Sequence, residues 1–311
     1  VGKILVYHER AAKECVRELA KWGITQAVGA QSQAEALAVL EDVEIIFGWN
    51  IPQDVFAKAP SLRWVQLMGA GVDDIVLSRQ LPPQVILTRI VGQFGLAIAE
   101  YVFAYLLYHY KHIELLRAQQ QSQIWKKKRL PLLAGKTLAV AGLGSIGEEI
   151  IRLGRAFGMR ILGLSKTGSK RELVDEHFFD RDWPLFVEQA DILVITLPHT
   201  SETFHVVNQR VFAAMKSTAV IVNVGRGAVI DEVELIRFLE QNKESMAILD
   251  VFETEPLAPE HQFWKMKNVL ITPHLSGPSS IAEVSQFFSE NFTRYQNGQP
   301  LLGTVPHGSE Y

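Results

Sequence analysis

The sequence has a single cysteine, Cys15, so no intrachain disulfide can brace the fold. That suits a reducing compartment. It also lacks a long uncharged apolar run. The longest apolar stretch, Phe94 to Tyr110, is interrupted by Glu100 and falls short of the roughly 18 residues that a membrane helix needs. The opening Val1 to Arg10 turns from apolar to charged and reads as a first strand rather than a secretory leader, which makes cytoplasm the expected location. No positive excess exists. Lys plus Arg is 31 against 34 for Asp plus Glu, a net charge of -3, and such a chain has no field with which to hold nucleic acid. The one basic run, Lys126-Lys127-Lys128-Arg129, is short and reads as a solvated linker before a core strand. Internal repeats and low-complexity segments are absent. No H-x-x-x-H, C-x-x-C or clustered acid pattern suggests a metal site.

What is present is an ordinary globular composition. Apolar residues make up 48% and charged residues 21%, which excludes a disordered chain. The 311 residues exceed one ordinary core and imply two domains. Up to about residue 91 the pattern is a small α/β unit. Lys3–Tyr7 is an apolar run followed by a charged helical stretch ending near Gly23, and 43–47, 64–68 and 85–88 are further strands. From 137 onward, six runs rich in Val, Ile and Leu recur at 137–141, 160–164, 192–197, 219–224, 247–251 and 269–272. Helix-length segments such as 148–157 and 231–242 separate most of them. Runs apolar on both faces and joined by helices predict a buried parallel sheet. A long helix from Ile98 to about Gln119 is apolar nearly all round up to Tyr110, which predicts burial in the protein or in a subunit interface. The last helix, 280–296, carries one apolar stripe and returns the chain to the first block. The expected organisation is a first domain made of 1–91 plus 281–311, with 92–280 inserted as a doubly wound, Rossmann-type domain. The two crossings would form a hinge and a cleft.

Gly142-Leu143-Gly144-Ser145-Ile146-Gly147 directly follows a strand and opens a helix. A lone G-x-G-x-x-G is weak, but here it stands in the strand–turn–helix context that a dinucleotide site requires. The glycines permit the tight turn, the approach of a pyrophosphate and close helix–strand packing, with the phosphates at the helix N-terminus. In an NAD site an acid ends the second strand and binds the ribose 2′-hydroxyl. Ser165-Lys166-Thr167 stands there instead. Either these residues receive a 2′-phosphate, which favours NADP with NAD as the alternative, or Lys166 is a solvated loop lysine.

Three later strands end in Gly225-Arg226-Gly227, in Asp250 to Pro256 with Glu253 and Glu255, and in Pro273-His274 with Gly277. Ligands bind at the carboxyl ends of strands in an open parallel sheet, so an arginine, carboxylates and a histidine converge on the glycine-loop edge.

With these motifs and Gly69-Ala70-Gly71-Val72-Asp73, the chain resembles the NAD(P)-dependent D-2-hydroxyacid dehydrogenase family over essentially its whole length. The missing acid at Ser165 looks more like the NADP-using glyoxylate/hydroxypyruvate reductase branch than the phosphoglycerate dehydrogenases. The resemblance implies a flavodoxin-like first domain that binds substrate and the reduction of a small 2-keto acid to the D-2-hydroxy acid. It implies that Arg226 pairs with the substrate carboxylate and polarises the keto oxygen, a task suited to a guanidinium fork. His274 would be the general acid in reduction and Glu255 its partner, with Glu253 as the competitor for that place. The backbone N–H groups of Ala70, Gly71 and Val72 would hold the substrate carboxylate. Thr196, Leu197, Pro198, Val224, Gly225 and Gly277 would line the cofactor. Asp250 would bond the nicotinamide amide or only start a turn. Trp49 would be a pocket wall or a core aromatic. A homodimer packed through the cofactor domain is expected. Two rival readings share the fold: a dinucleotide-sensing corepressor, for which the Arg226, Glu255 and His274 set would have no use, and a dehydrogenase of another small acid such as formate or phosphite.

Overall fold

The computed structural model describes residues 2–77 and 81–306. The chain packs as two units, Val1–Gln93 with Ser279–Tyr311, and Phe94–Pro278. Of the returning segment expected at 281–311, residues 307–311 lie outside the described residues.

In the first unit, the described residues hold a six-stranded sheet in the order Thr304–Val305, Ile86–Thr88, Trp64–Leu67, Val43–Gly48, Lys3–Tyr7, Ala27–Ala30. The five N-terminal strands pair in parallel, and Thr304–Val305 adds antiparallel to Ile86–Thr88. Numbered along the chain, the parallel strands lie 2-1-3-4-5, a flavodoxin-like order. The returning helix Ile281–Gln296 is tied to this sheet by rings and by polar groups. Phe288 stacks on Phe47 at 4.5 Å and on Trp64 at 5.2 Å, and Tyr295 lies 5.2 Å from Trp64. Asn291, fully buried, donates from its amide to Gln66 at 2.9 Å and to the Leu302 carbonyl at 3.0 Å, and accepts from the Leu302 N–H at 2.8 Å. Leaving one such buried group unpaired costs about 1–3 kcal/mol, so the network fixes which residues the helix meets. The helix starts on a capping box: Ser280 Oγ accepts from the Glu283 N–H, and the Glu283 carboxylate accepts from the Ser280 N–H at 3.0 Å.

The second unit is built on a seven-stranded sheet, parallel throughout the described residues. Its order is Val269–Ile271, Met246–Leu249, Val220–Asn223, Ile192–Ile195, Thr137–Ala141, Arg160–Leu164, Glu176–Phe178. Counted within the unit this is 3-2-1-4-5-6-7, the doubly wound Rossmann order. Its switch point falls between Thr137–Ala141 and Ile192–Ile195, where the glycine loop and Thr196 emerge. The central strands are fully buried, as their apolar composition predicts.

Several elements differ from expectation, the added strand Thr304–Val305 among them. The helix expected over 98–119 is two helices, Gly95–Tyr110 and Ile113–Gln121, broken where His112 takes a left-handed φ of 49°. The glycine-loop helix starts at Ser145, not 148, because Gly144 serves as its N-cap and Gly147 fits inside the first turn. The strands Ala27–Ala30 and Glu176–Phe178 are additional; they are short and become strands by pairing with Lys3–Tyr7 and Arg160–Leu164.

Candidate active site

The glycine loop has the shape a pyrophosphate requires. Gly142 takes a φ of 102°, and a Cβ on Gly147 would run into the Gly142 carbonyl oxygen. A Cβ on Gly144 would meet nothing within 4 Å, so the backbone there is open to an approaching group. The first intrahelical bond runs from the Glu148 N–H to the Gly144 carbonyl at 2.9 Å. The N–H groups of Ser145, Ile146 and Gly147 therefore belong to the first turn, whose donors and dipole favour an anion. Leu143 is buried and carries the turn back onto the core. The described residues thus fit a bound dinucleotide on the shape of the backbone alone.

Thr196 anchors the neighbouring strand end. Its hydroxyl donates to the carbonyls of Ala141 at 3.1 Å and Gly142 at 3.0 Å. Leu197 and Pro198 follow it, half-buried. At the other rim, Ser165 Oγ lies 2.8 Å from His177 Nε2, and Lys166 pairs with Glu202. The Thr167 hydroxyl bonds that of Ser169. Neither His177 nor Glu202 was visible in the sequence pattern, because each lies far along the chain from the residue it touches.

The arginine loop sits on backbone at both shoulders. A Cβ on Gly225 would strike the main chain of Leu197, and one on Gly227 would strike that of Phe252. Val224 is buried just before them. Two glycines therefore hold Arg226 between the Thr196–Leu197 and Phe252 segments. Asn223 reinforces the loop, donating to the Arg226 carbonyl at 2.9 Å and accepting from the Gly225 N–H at 3.1 Å. The Arg226 guanidinium donates to the Gly225 carbonyl at 2.8 Å.

His274 Nδ1 lies 2.8 Å from Glu255 Oε2. The carboxylate can only accept when ionised, so Nδ1 carries the proton and Nε2 is the nitrogen left to titrate. The other Glu255 oxygen accepts from the Phe252 N–H at 3.0 Å. Glu253, the competitor, is engaged elsewhere: its carboxylate meets His205 Nε2 at 2.8 Å and the Glu232 N–H at 3.3 Å. The hydrogen bond from Glu255 raises the His274 pKa above the usual histidine value; burial opposes, the Glu255 charge adds, and Arg226 opposes. Burial pushes the Glu255 carboxyl up, yet its bonds to His274 and Phe252, with the charges of His274 and Arg226, hold it below the ordinary carboxylate range. Arg226 thus acts on both partners through its charge.

The turn bearing His274 is clamped by Asp250. That side chain is fully buried and accepts from Thr272 Oγ1 at 2.5 Å, from the Leu275 N–H at 2.9 Å and from the Ser276 N–H at 2.9 Å. Its carbonyl accepts from the His274 N–H at 2.9 Å. Of the two expectations for Asp250, the geometry displays the turn. His274 itself has a φ of 49°, a left-handed conformation uncommon outside glycine, which the Asp250 contacts to the following residues support. Gly277 closes the turn against Phe94 and Ile98. Among the described residues, no group of three or more His, Cys, Asp or Glu could hold a metal ion, and no helix is long and apolar enough to cross a membrane.

In the first unit, Trp49 leaves the carboxyl end of Val43–Gly48 beside the switch point between that strand and Lys3–Tyr7. It is 45% exposed and so is not a core aromatic. Its ring lies over Gly69, where a Cβ would collide with it. Ala70 and Gly71 follow, half-buried, and Val72 is buried at the start of the helix Asp73–Leu77. The Ala70 carbonyl accepts from Arg89 at 3.2 Å.

Comparison with known proteins shows the family. Residues 103–276 match the family model described as D-isomer specific 2-hydroxyacid dehydrogenase, NAD binding domain. The glyoxylate/hydroxypyruvate reductase A of Yersinia enterocolitica is 30% identical over 263 residues, covering 83% of this chain and 84% of its own. A D-isomer specific 2-hydroxyacid dehydrogenase family protein from Aeromonas salmonicida superposes with a TM-score of 0.90 at 34% identity, covering 97% of this chain and 98% of that one. The NADPH-dependent glyoxylate/hydroxypyruvate reductase of Sinorhizobium meliloti, solved with NADP and sulfate, gives 0.89 at 27% identity, covering 99% and 100%.

Proposed function

The chain belongs to the D-isomer specific 2-hydroxyacid dehydrogenase family, and we propose that it reduces a small 2-keto acid of the glyoxylate or hydroxypyruvate kind with NADPH, NADH being the alternative donor. The observation that carries this reading is the His274–Glu255 pair at 2.8 Å, next in the sheet to the Arg226 loop and on the same strand-end edge as the glycine loop. Gly142 to Gly147, Thr196 to Pro198, Val224, Gly225 and Gly277 would hold the dinucleotide, and Ser165, Lys166 and Thr167 its 2′-phosphate. When bound, the reduced nicotinamide supplies hydride to the keto carbon.

The chain's own residues supply the charge and the proton. Arg226 pairs with the substrate carboxylate and draws electron density onto the keto oxygen. His274 gives that oxygen a proton from Nε2 as negative charge develops there. Glu255 holds Nδ1, fixes the ring and stabilises the imidazolium that must exist before the proton leaves. Asp250 holds the turn in its left-handed conformation and so positions His274. In the first unit, the backbone N–H groups of Ala70, Gly71 and Val72 take the substrate carboxylate role that the family implies, and Trp49 over Gly69 limits substrate size.

The test is a panel of glyoxylate, hydroxypyruvate, pyruvate, phenylpyruvate and longer 2-keto acids, followed by NADPH and NADH absorbance. A dinucleotide-sensing protein would bind cofactor and turn over none of them. The pair also predicts a pH profile. Reduction needs the imidazolium, so activity falls as pH rises through the His274 pKa, which lies above the ordinary value near 6.5. Glu255→Gln removes the charge that favours the imidazolium, so the falling limb should move to lower pH. An unmoved limb in that variant takes the orienting role away from Glu255.

We also propose a homodimer. The helices Gly95–Tyr110 and Ile113–Gln121 and the segment after them expose Leu96, Ile113, Leu115, Ile124, Trp125 and Leu132, with Trp125 97% exposed. A second copy that covers these side chains is the partner the family implies. Sedimentation should give twice the 34.9 kDa chain mass. A monomer at micromolar concentration contradicts it.

A further inference from the structure

The anion-selecting loop already holds an anion of its own. Lys166, just past the strand Arg160–Leu164, pairs with the Glu202 carboxylate. Both side chains are about two-thirds exposed, at 66% and 62%, so the pair faces solvent where a ribose substituent would arrive. Glu202 is not on a loose loop. Its turn is fixed by Thr203, whose hydroxyl donates to the Pro198 carbonyl at 2.7 Å and whose oxygen accepts from the Thr200 N–H at 2.8 Å. Pro198 belongs to the segment that leaves the switch-point strand, so the turn is referenced to the cofactor edge itself. Asp180 lies within electrostatic reach of both: burial raises its carboxyl pKa, Glu202 raises it further, and Lys166 opposes.

A 2′-phosphate carries about 1.5 to 2 negative charges near neutral pH and needs Lys166. It must compete with Glu202 for that ammonium, and wherever the two share it the phosphate lies beside a like charge. NADH brings no phosphate and leaves the pair closed. Resting on the reading of Ser165, Lys166 and Thr167 as a phosphate site, we propose that Glu202 is a cofactor-specificity residue, an internal competitor for Lys166 that sets the ratio of NADPH to NADH preference. An exposed ion pair contributes up to about a factor of five, and the like-charge repulsion across solvent adds to it, so removing the carboxylate should favour the phosphate by about three- to tenfold.

The experiment measures dissociation constants by calorimetry for adenosine 2′,5′-bisphosphate and adenosine 5′-monophosphate, with the full chain as wild type, Glu202→Gln, Lys166→Ala and the double variant. Glu202→Gln should bind the bisphosphate about three- to tenfold more tightly at about 50 mM salt, with the monophosphate changed less than about twofold. The gain should shrink in the Lys166→Ala background, where only the relief of like-charge repulsion is left, and shrink again at about 500 mM salt. If Lys166→Ala weakens the bisphosphate but Glu202→Gln leaves it unchanged, the phosphate site stands and the competitor role of Glu202 is overturned. If Lys166→Ala does not weaken it either, the phosphate-site reading falls, and this proposal with it.

Discussion

Replacing His274 with alanine should lower turnover by about 10²–10⁴-fold while dinucleotide affinity stays near the wild-type value. The size follows from its place in the proposed reaction. The keto oxygen gains negative charge as the carbon is reduced, and His274 Nε2 is the nitrogen free to neutralise it, Nδ1 being held by Glu255 at 2.8 Å. The neighbouring Arg226 can stabilise the charge, but a guanidinium does not serve as a proton donor in catalysis. Cofactor binding should survive because the glycine loop and the Thr196 strand end do not depend on the imidazole. The backbone should survive as well: Leu275 and Ser276 donate to Asp250 through their own N–H groups, whatever side chain stands at 274. The one structural cost is the left-handed φ of 49°, which alanine tolerates poorly. His274→Asn controls for it, since asparagine accepts that region more readily and still cannot serve as an acid. Both variants should lose turnover alike. Retention of more than a tenth of wild-type turnover in either would remove His274 from the chemistry.

The second large effect is a reversal of cofactor ranking in Ser165→Asp. A hydrogen bond to a charged group contributes about 1.5–3 kcal/mol, and 1.4 kcal/mol is one decade of affinity. One such contact from among Ser165, Lys166 and Thr167 to a 2′-phosphate would then favour NADPH by about one to two decades, and two contacts by about two to four. The exposure of Lys166 and its pairing with Glu202 place the expected value toward the lower end. An aspartate at 165 repels the phosphate and offers an acceptor to the ribose 2′-hydroxyl of NADH. It can keep the contact to His177, which now meets Ser165 Oγ at 2.8 Å, so the loop need not rearrange. The measurement is kcat/KM for each cofactor at saturating keto acid. A wild-type protein that already prefers NADH would mean that the Ser165–Thr167 loop is only a connection.

Some of this architecture was legible in the residues because the physics is local. The central strands are buried on both faces, so they are written as continuous Val, Ile and Leu runs. The glycine motif was legible because backbone approach demands glycine: Gly147 meets the Gly142 carbonyl, and Gly227 the Phe252 main chain. The returning helix announced itself through Phe288 and Tyr295, which face Phe47 and Trp64, and through Phe292, which packs on Phe288.

What was not legible depends on pairing at a distance. Glu176–Phe178 and Thr304–Val305 carry little apolar signal and are strands only through their neighbours. The break at His112 has neither glycine nor proline to mark it. Spacing could not choose between Glu253 and Glu255. The fold does so by aiming the Phe252 N–H at Glu255 and His205 at Glu253. Asp250 reads in the sequence first as a partner of the nicotinamide amide, and only the convergence of Thr272, Leu275 and Ser276 on its carboxylate displays its place in the turn. His177 and Glu202 had no signal at all, since their partners Ser165 and Lys166 lie 12 and 36 residues away.

The Arg226, Glu255 and His274 set is proposed to perform a keto-acid reduction on this Rossmann edge. Its most direct measurement is the stoichiometry and configuration of product when the protein is given NADPH and hydroxypyruvate. One D-hydroxy acid should form for each NADPH oxidised. NADPH bound but not oxidised, or an L-hydroxy acid as the product, would contradict it.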